Sequence, residues 1–381
     1  MSDYINLFQK YKEESISGRY IALQHIEPLL KSYNAEIIGK SVLDKPIYKL
    51  ELGNGKTKIL IWSQMHGNES TTTKALFDFI NYLHSNSPES IALLEYFTFC
   101  LLPMLNPDGA AAYTRENANK IDLNRDAKDL SQPESNVLRN VFDTFQPDYC
   151  YNLHDQRTIY GVGATGKPAT VSFLAPAFDE DRNWNENRKK AAAIIVAMNN
   201  ELQKHIPGQV GRYDDSFNIN CVGDTFQFLN VPTVLFEAGH FPDDYEREIT
   251  RKYIFTALLK SIDYLSENLK VRNEIEEYLK IPQNKTNFFD FICKFININY
   301  DTNVKYFNFA LQYKEVLSHN EILFEAYVSQ IDNLETFFGH KEINVKGDSF
   351  INSLNQLPIL NEKANFSIGN HTIFVNGIKV C

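Results

Sequence analysis

The chain is short of nearly everything that would take it outside the soluble globular class. None of its 381 residues belongs to an apolar run approaching the ~20 residues that span a membrane. Its first residues, Met1-Ser2-Asp3-Tyr4-Ile5-Asn6, show neither the basic start nor the apolar centre of a secretory leader. No basic run occurs, and 38 Lys and Arg against 48 Asp and Glu leave a formal net charge of −10. That balance argues against nucleic acid or an anionic membrane as the main partner. Cysteine is scarce, and Cys100, Cys150, Cys221, Cys293 and Cys381 are odd in number and never spaced Cys-x-x-Cys. They read as reduced, mostly buried thiols of a cytoplasmic protein, not as a disulfide frame or a metal cluster. Internal repeats and low-complexity tracts are missing too.

What is present suffices for two or three cores: 43% hydrophobic and 13% aromatic residues. Residues 1–34 predict a mainly helical lead-in. Segment 35–63 predicts a meander of strands, broken by Asp44-Lys45-Pro46 and by Gly53-Asn54-Gly55-Lys56. Apolar spacing predicts helices over 71–84, 133–145, 184–205 and 244–269. Strands are expected over 97–105, 149–153 and 231–236. The alternation predicts an α/β fold with a central mixed sheet flanked by helices, over residues 1–269. From 270 to 381 the chain turns Phe-, Asn- and Tyr-rich with short alternating runs, which predicts a smaller, partly β carboxy-terminal domain of unassigned role.

Four chemically able positions each fall just after a predicted strand, where sites in open α/β sheets form. His66-Gly67-Asn68-Glu69 follows Ile59–Ser63, pairing an imidazole and a carboxylate in a spacing that suits zinc. Asn106-Pro107-Asp108-Gly109 is a turn by composition. His154 ends Tyr149–Leu153, and Glu237 ends Val231–Phe236. Between them, Arg115 and Arg125 flank an Asn-rich loop that offers an anion-binding surface.

The ordered set His66-x-x-Glu69, Asn106-Pro107-Asp108-Gly109, Arg115-x-Asn117, Asp122-Leu123-Asn124-Arg125, His154 and Glu237 resembles the zinc metallocarboxypeptidases of the carboxypeptidase A type, the funnelins. The resemblance implies one zinc ion per chain, held by His66, Glu69 and His154, with Glu237 as general base. It implies an oxyanion role for Arg115 and a grip on the substrate's terminal carboxylate by Asn124 and Arg125. A tyrosine over the substrate is also expected, and Tyr213 is the nearest candidate. The implied substrate is a peptide with a free carboxylate. An N-acyl amino acid or a cell-wall peptide is the alternative, and an inactive binding module a second one.

Three features stand apart. Asp126 follows Arg125 where many members of that family have asparagine, placing an acid where it would temper the arginine. His240 and Asp243 repeat the His-x-x-acid spacing in a Pro-rich turn, a decoy. Gly161-Val162-Gly163-Ala164-Thr165-Gly166 matches a dinucleotide fingerprint letter for letter, but no helix is predicted to open after it. A mobile loop beside His154 is expected there instead. The residue setting side-chain preference is expected near Cys221-Val222-Gly223-Asp224, and the sequence leaves specificity open.

Overall fold

Consecutive apolar residues decide the centre of this fold. All six residues of Phe97–Leu102 are buried, so this strand must be covered on both faces. The computed structural model describes residues 3–267, 273–300, 303–352, 357–369 and 372–380. Its first elements are α1 (Tyr4–Tyr11), α2 (Leu23–Ser32), β1 (Glu36–Lys40), β2 (Pro46–Leu52), β3 (Thr57–Ser63), α3 (Thr71–Leu83) and α4 (Pro88–Tyr96). Next come β4 (Phe97–Leu102), α5 (Pro107–Ala112), α6 (Pro133–Phe145), β5 (Tyr149–Asp155), β6 (Tyr160–Val162) and β7 (Val171–Leu174). Then follow α7 (Glu186–Leu202), β8 (Val210–Arg212), α8 (Val222–Phe228), β9 (Thr233–Ala238), α9 (Glu248–Glu267) and α10 (Ile275–Lys280).

Eight strands form one mixed sheet in the order β1-β2-β4-β3-β5-β9-β7-β8. The central run β4-β3-β5-β9 is parallel, so its carboxyl ends share one edge. The expected meander over 35–63 is not formed, because β4 enters between β2 and β3. Ile59 and Ile61 face one core, with α3, α7 and α9, while Leu60 and Trp62 face the other, with α6 and α8. A strand that buries both faces needs neighbours on both sides, and the apolar β4 supplies one that local spacing cannot show.

The lead-in is only half helical: residues 12–22, between α1 and α2, are irregular, with a turn at 14–15 and a bend at 18–19. Their backbone carbonyls are held by buried cations. Arg251 donates to Ile16 O at 2.9 Å and Glu13 O at 2.8 Å and pairs with Asp78, while Lys74 donates to Gly18 O at 2.7 Å.

The chain divides into two compact units, residues 1–156 with 169–284, and residues 157–168 with 285–381. The carboxy-terminal part of the second unit begins at residue 285. Tyr278, on α10, and Ile281 are buried in the core of the first unit, and Tyr278 Oη accepts the Ala175 N–H at 3.1 Å. The second unit is β throughout its later part: β10 (Asn284–Thr286), which pairs with β6, then β11 (Phe288–Tyr300), β12 (Asn303–Ser318), β13 (Glu321–Asp332) and β14 (Phe338–Asn344). Four short strands close it, β15 (Phe350–Ile351), β16 (Phe366–Ile368), β17 (Thr372–Val375) and β18 (Ile378–Lys379). The sheets run β13-β12-β11-β14 and β15-β16-β17-β18 around a core that includes Phe291, Phe309, Phe366 and Phe374. Among the described residues, no helix is long and apolar enough to cross a membrane.

The segment expected to form a mobile loop is a closed turn of this second unit. Val162 N–H donates to Lys167 O at 2.9 Å, and Asn287 Nδ2 to Gly163 O at 3.0 Å. The chain continues from it into β7, not into a helix, so the glycine pattern lacks the helix a dinucleotide site requires.

Candidate metal centre and active site

The parallel register brings the predicted positions to one edge. His154 stands opposite Glu237 across β5 and β9, and β3 ends at Ser63 opposite Leu153. After Ser63 the backbone turns sharply, with Gln64 at φ 49°, and this turn carries His66 to the end of β5. Gly67 lies so close to the Asn106–Gly109 turn that a Cβ there would meet Gly109 C at 1.9 Å, so only glycine fits. Gln64 braces the turn from inside: Nε2 donates to Ile21 O at 2.7 Å and Gly67 O at 2.8 Å, and Oε1 accepts from Thr73 Oγ1 at 3.0 Å.

His66, Glu69 and His154 converge, their nitrogen and oxygen atoms all lying within 4.8 Å of one another, and all three are buried. His66 Nδ1 is 2.8 Å from Glu69 Oε1, His154 Nδ1 is 2.8 Å from Glu69 Oε2, and the two Nδ1 atoms are 3.0 Å apart. Two imidazole nitrogens facing one another this closely, with a carboxylate across both, are a donor set for a divalent cation. The set fits zinc in kind: two imidazole nitrogens and one carboxylate.

Partners behind the set fix it. His66 Nε2 lies 2.9 Å from Asp122 Oδ1, which orients the ring so that Nδ1 faces the centre. Asp122 Oδ2 accepts from Arg115 Nε at 3.0 Å, and Arg115 Nη1 reaches Glu69 Oε1 at 3.4 Å. Asp155 accepts the N–H groups of Thr71 and Thr72 at 2.8 and 3.2 Å, and its own N–H donates to Glu69 Oε2 at 3.1 Å. Asp122, Asp155 and Gln64 were given no individual part in the sequence reading. Asp122 could have been found from its place in Asp-Leu-Asn-Arg; the other two have only tertiary signals.

The electrostatics follow from burial and neighbours. Burial pushes the His154 imidazole down. Burial acts the same way on His66, but the carboxylates of Glu69 and Asp122 outweigh it and leave His66 raised. The two imidazoles hold Glu69 well below the usual carboxylate range in spite of its burial. Glu237 is driven well above its ordinary value, first by burial and then by the negative charge of Glu69 and Asp155, with Arg115 and Arg247 opposing. Its Oε2 is buried with no hydrogen-bond partner among the described residues.

Arg125 is exposed on a short 3-10 turn, Leu123–Arg125, with Nη1 on its own Asn124 O at 2.6 Å and 3.1 Å from Cys221 Sγ. Asn124 Oδ1 accepts the Val222 N–H at 2.9 Å. Asp126 turns away from the arginine: it is buried, and its oxygens accept from Ser131 N–H at 3.0 Å and Gln132 N–H at 2.9 Å. The acid expected to temper Arg125 is thus committed to the loop behind it. Tyr213 follows β8, two strands beyond β9, with its N–H on Phe173 O at 3.0 Å. His240 packs on the Tyr245 ring, centroids 4.6 Å apart, and does not join the metal-ligating cluster.

A mixed α/β sheet thus carries a buried His-Glu-His cluster, able to hold a metal ion, at the carboxyl ends of its central strands. Residues 31–218, just under half of the chain, match the model of the zinc carboxypeptidase family, Peptidase_M14. The matched stretch holds His66, Glu69, Arg115, Asn124, Arg125 and His154 and ends before Glu237. Carboxypeptidase 2 of Trichophyton tonsurans is 28% identical over 150 residues, 38% of this chain and 26% of that protein. Human carboxypeptidase D is 28% identical over 143 residues, 31% of this chain and 10% of that protein. The chain therefore spans about a quarter or less of these relatives. Among solved structures, carboxypeptidase A from Helicoverpa armigera shares the fold at a TM-score of 0.53, with 17% identity over 69% of this chain and 78% of that one. A putative carboxypeptidase A from Shewanella denitrificans aligns at 0.51, with 18% identity over 63% and 69%.

Proposed function

We propose that this protein is a zinc-dependent carboxypeptidase that removes the carboxy-terminal residue of a peptide. The observation that carries the reading is the convergence of His66, Glu69 and His154 with Glu237 next in register to His154. These three residues would hold one zinc ion. What the metal supplies when bound is an acidified water, pKa near about 7, and a polarised scissile carbonyl.

The remaining work falls to side chains. Glu237 is the proton carrier: its buried, unpartnered Oε2 takes a proton from the attacking water and passes it to the leaving amine. The push of burial and of Glu69 makes its anion eager for that proton. Arg115, tethered by Asp122, presents its guanidinium to charge that develops only in the tetrahedral state, so it acts on turnover. Arg125 and Asn124 select chain ends, since the planar fork matches a carboxylate two-fold. Tyr213 is assigned the covering role. The catalytic part is the first unit, and the β-rich second unit is a separate module in architecture. Cys100, Cys150, Cys221 and Cys293 carry free thiols, which supports a reducing, cytoplasmic setting.

The test uses zinc-loaded protein with peptides bearing free or amidated carboxyl termini, alongside N-acyl amino acids. Free termini should be cleaved and amidated ones spared; efficient turnover of N-acyl amino acids would move the substrate class to small amides. Glu237→Gln should keep zinc and fold but lose turnover by a factor of ~100 to 10,000. Near-normal turnover in that variant would place the base elsewhere.

A further inference from the structure

The loop that carries Asn124 and Arg125 is fixed by side chains at both ends, and only one end touches the metal cluster. At the front, Asp122 Oδ1 accepts the Asn124 N–H at 2.8 Å while facing His66 Nε2. At the back stands Asn220, 98 positions after the aspartate in sequence and on the segment that leads into α8. Its Oδ1 accepts two successive backbone N–H groups, Lys128 at 2.9 Å and Asp129 at 3.3 Å. Its Nδ2 donates to Asp129 Oδ2 at 3.0 Å, and its carbonyl accepts the Ala127 N–H at 3.2 Å. Asn218 Oδ1 holds the Asn220 N–H at 3.0 Å, so the clamp is itself clamped. The next residues of the same segment reach the substrate-facing side: Cys221 Sγ meets Arg125, and the Val222 N–H meets Asn124 Oδ1.

We propose that Asn220 is a positioning residue for the substrate's terminal carboxylate. It joins the 218–222 segment to the 127–129 segment, and that junction sets where Asn124 and Arg125 point. The inference rests on Arg125 as the carboxylate partner.

The physical case is one of rigidity at an exposed site. Arg125 is long and exposed, and a three-residue 3-10 turn has little stability of its own. Without restraint the fork would sample many rotamers, and each order of misplacement is felt directly in substrate binding. Asn220 does not touch the guanidinium; it fixes the backbone on which the fork is mounted, and with it the place of Cys221 beside Arg125, with one amide that satisfies two neighbouring N–H groups and a carboxylate at once. Only an amide does this. Aspartate would keep the acceptor but set its charge against Asp129, and alanine would release all three bonds.

The experiment compares Asn220→Ala, Asn220→Asp and the pair Asn220→Asp with Asp129→Asn, beside Arg125→Ala, on a peptide with a free carboxyl terminus. Asn220→Ala should raise KM about 10-fold and change kcat by less than about 3-fold, with zinc content and thermal midpoint held. Asn220→Asp should be at least as impaired. The double variant exchanges donor and acceptor between the two positions and should return KM to within about 3-fold of the parent. If Arg125→Ala raises KM and Asn220→Ala does not, the positioning role falls and the carboxylate reading stands. If neither raises KM, both fall. A matched loss of kcat, zinc and thermal midpoint, with no rescue by the exchange, makes Asn220 a folding residue and overturns the inference.

Discussion

Asp122 carries three obligations on two oxygens: the His66 ring, the Arg115 guanidinium and the Asn124 N–H. Asp122→Asn keeps the shape but weakens the hold on the imidazole, so zinc affinity should fall ~10- to 100-fold in competition with a chelating dye. Acid should also strip the metal. His66 is raised by its carboxylates, so protons compete for Nδ1 more strongly than at a free histidine, and zinc retention must decline as pH falls. Asp126 makes a prediction of the opposite kind, about stability alone. Burial acts to raise its pKa, but hydrogen bonds from Ser131 and Gln132 hold it below the ordinary 3.8. The anion is therefore the form the fold prefers; its contribution is complete above about pH 4 and disappears as pH falls through the lowered value. Asp126→Ala should cost ~1–3 kcal/mol in urea denaturation at pH 7 and distinctly less in strong acid. At this scale the meeting of His66, Glu69 and His154, and the place of Glu237 beside His154, were legible because strand ends announce themselves in sequence. The bracing by Asp155 and Gln64 was not, because Asp155 reaches Thr71, 84 positions away, and Gln64 ties its own turn to Ile21, 43 positions away, and no local rule reports such pairings.

Among the elements, the long helices and the apolar strands were readable from period and run length, and sheet order was not. β2 and β3 are neighbours in sequence, but β4, arriving some forty residues later, separates them. The lead-in was misread in part for a similar reason. Residues 12–22 have no helical period because their carbonyls serve Arg251 and Lys74 instead of a helix. Arg251 is fully buried against Asp78, with two carboxylate partners, Asp78 and Glu248, and two backbone acceptors. Arg251→Met should lower unfolding free energy by about 3–5 kcal/mol, because Asp78 is left buried with no guanidinium beside it. Arg251→Met with Asp78→Leu should recover only part of that loss, since it removes the stranded charge but leaves the Ile16 and Glu13 carbonyls and the Glu13 N–H without these partners. A single substitution with under 1 kcal/mol effect would mean the network is ornamental.

At the scale of the whole molecule, the second unit draws residues 157–168 out of the middle of the first. Thr158 O lies 2.7 Å from His340 Nε2, Gln312 Nε2 donates to Thr158 Oγ1 at 2.7 Å, and Phe288 N–H donates to Ile159 O at 3.1 Å. A chain ended at residue 284 would leave that excursion without these partners. Trypsin should then cut after Arg157 at least ~10-fold faster than in the full chain, because cleavage follows the population of the open segment. Equal rates would show that the excursion is stable alone. Composition foretold a change of character near 270, but nothing local marked 157–168 as belonging with a region more than a hundred residues on.

That excursion also has a schedule. A ribosome delivers residues in order, at roughly 5–20 per second. The segment that begins three positions after His154 therefore emerges roughly 6–25 s before residue 285, the first of its later partners, on that same scale. For that interval the nascent chain holds all three of His66, Glu69 and His154 while the thread that trails them has nothing to grip, and synthesis, not diffusion, sets how soon it can be tied.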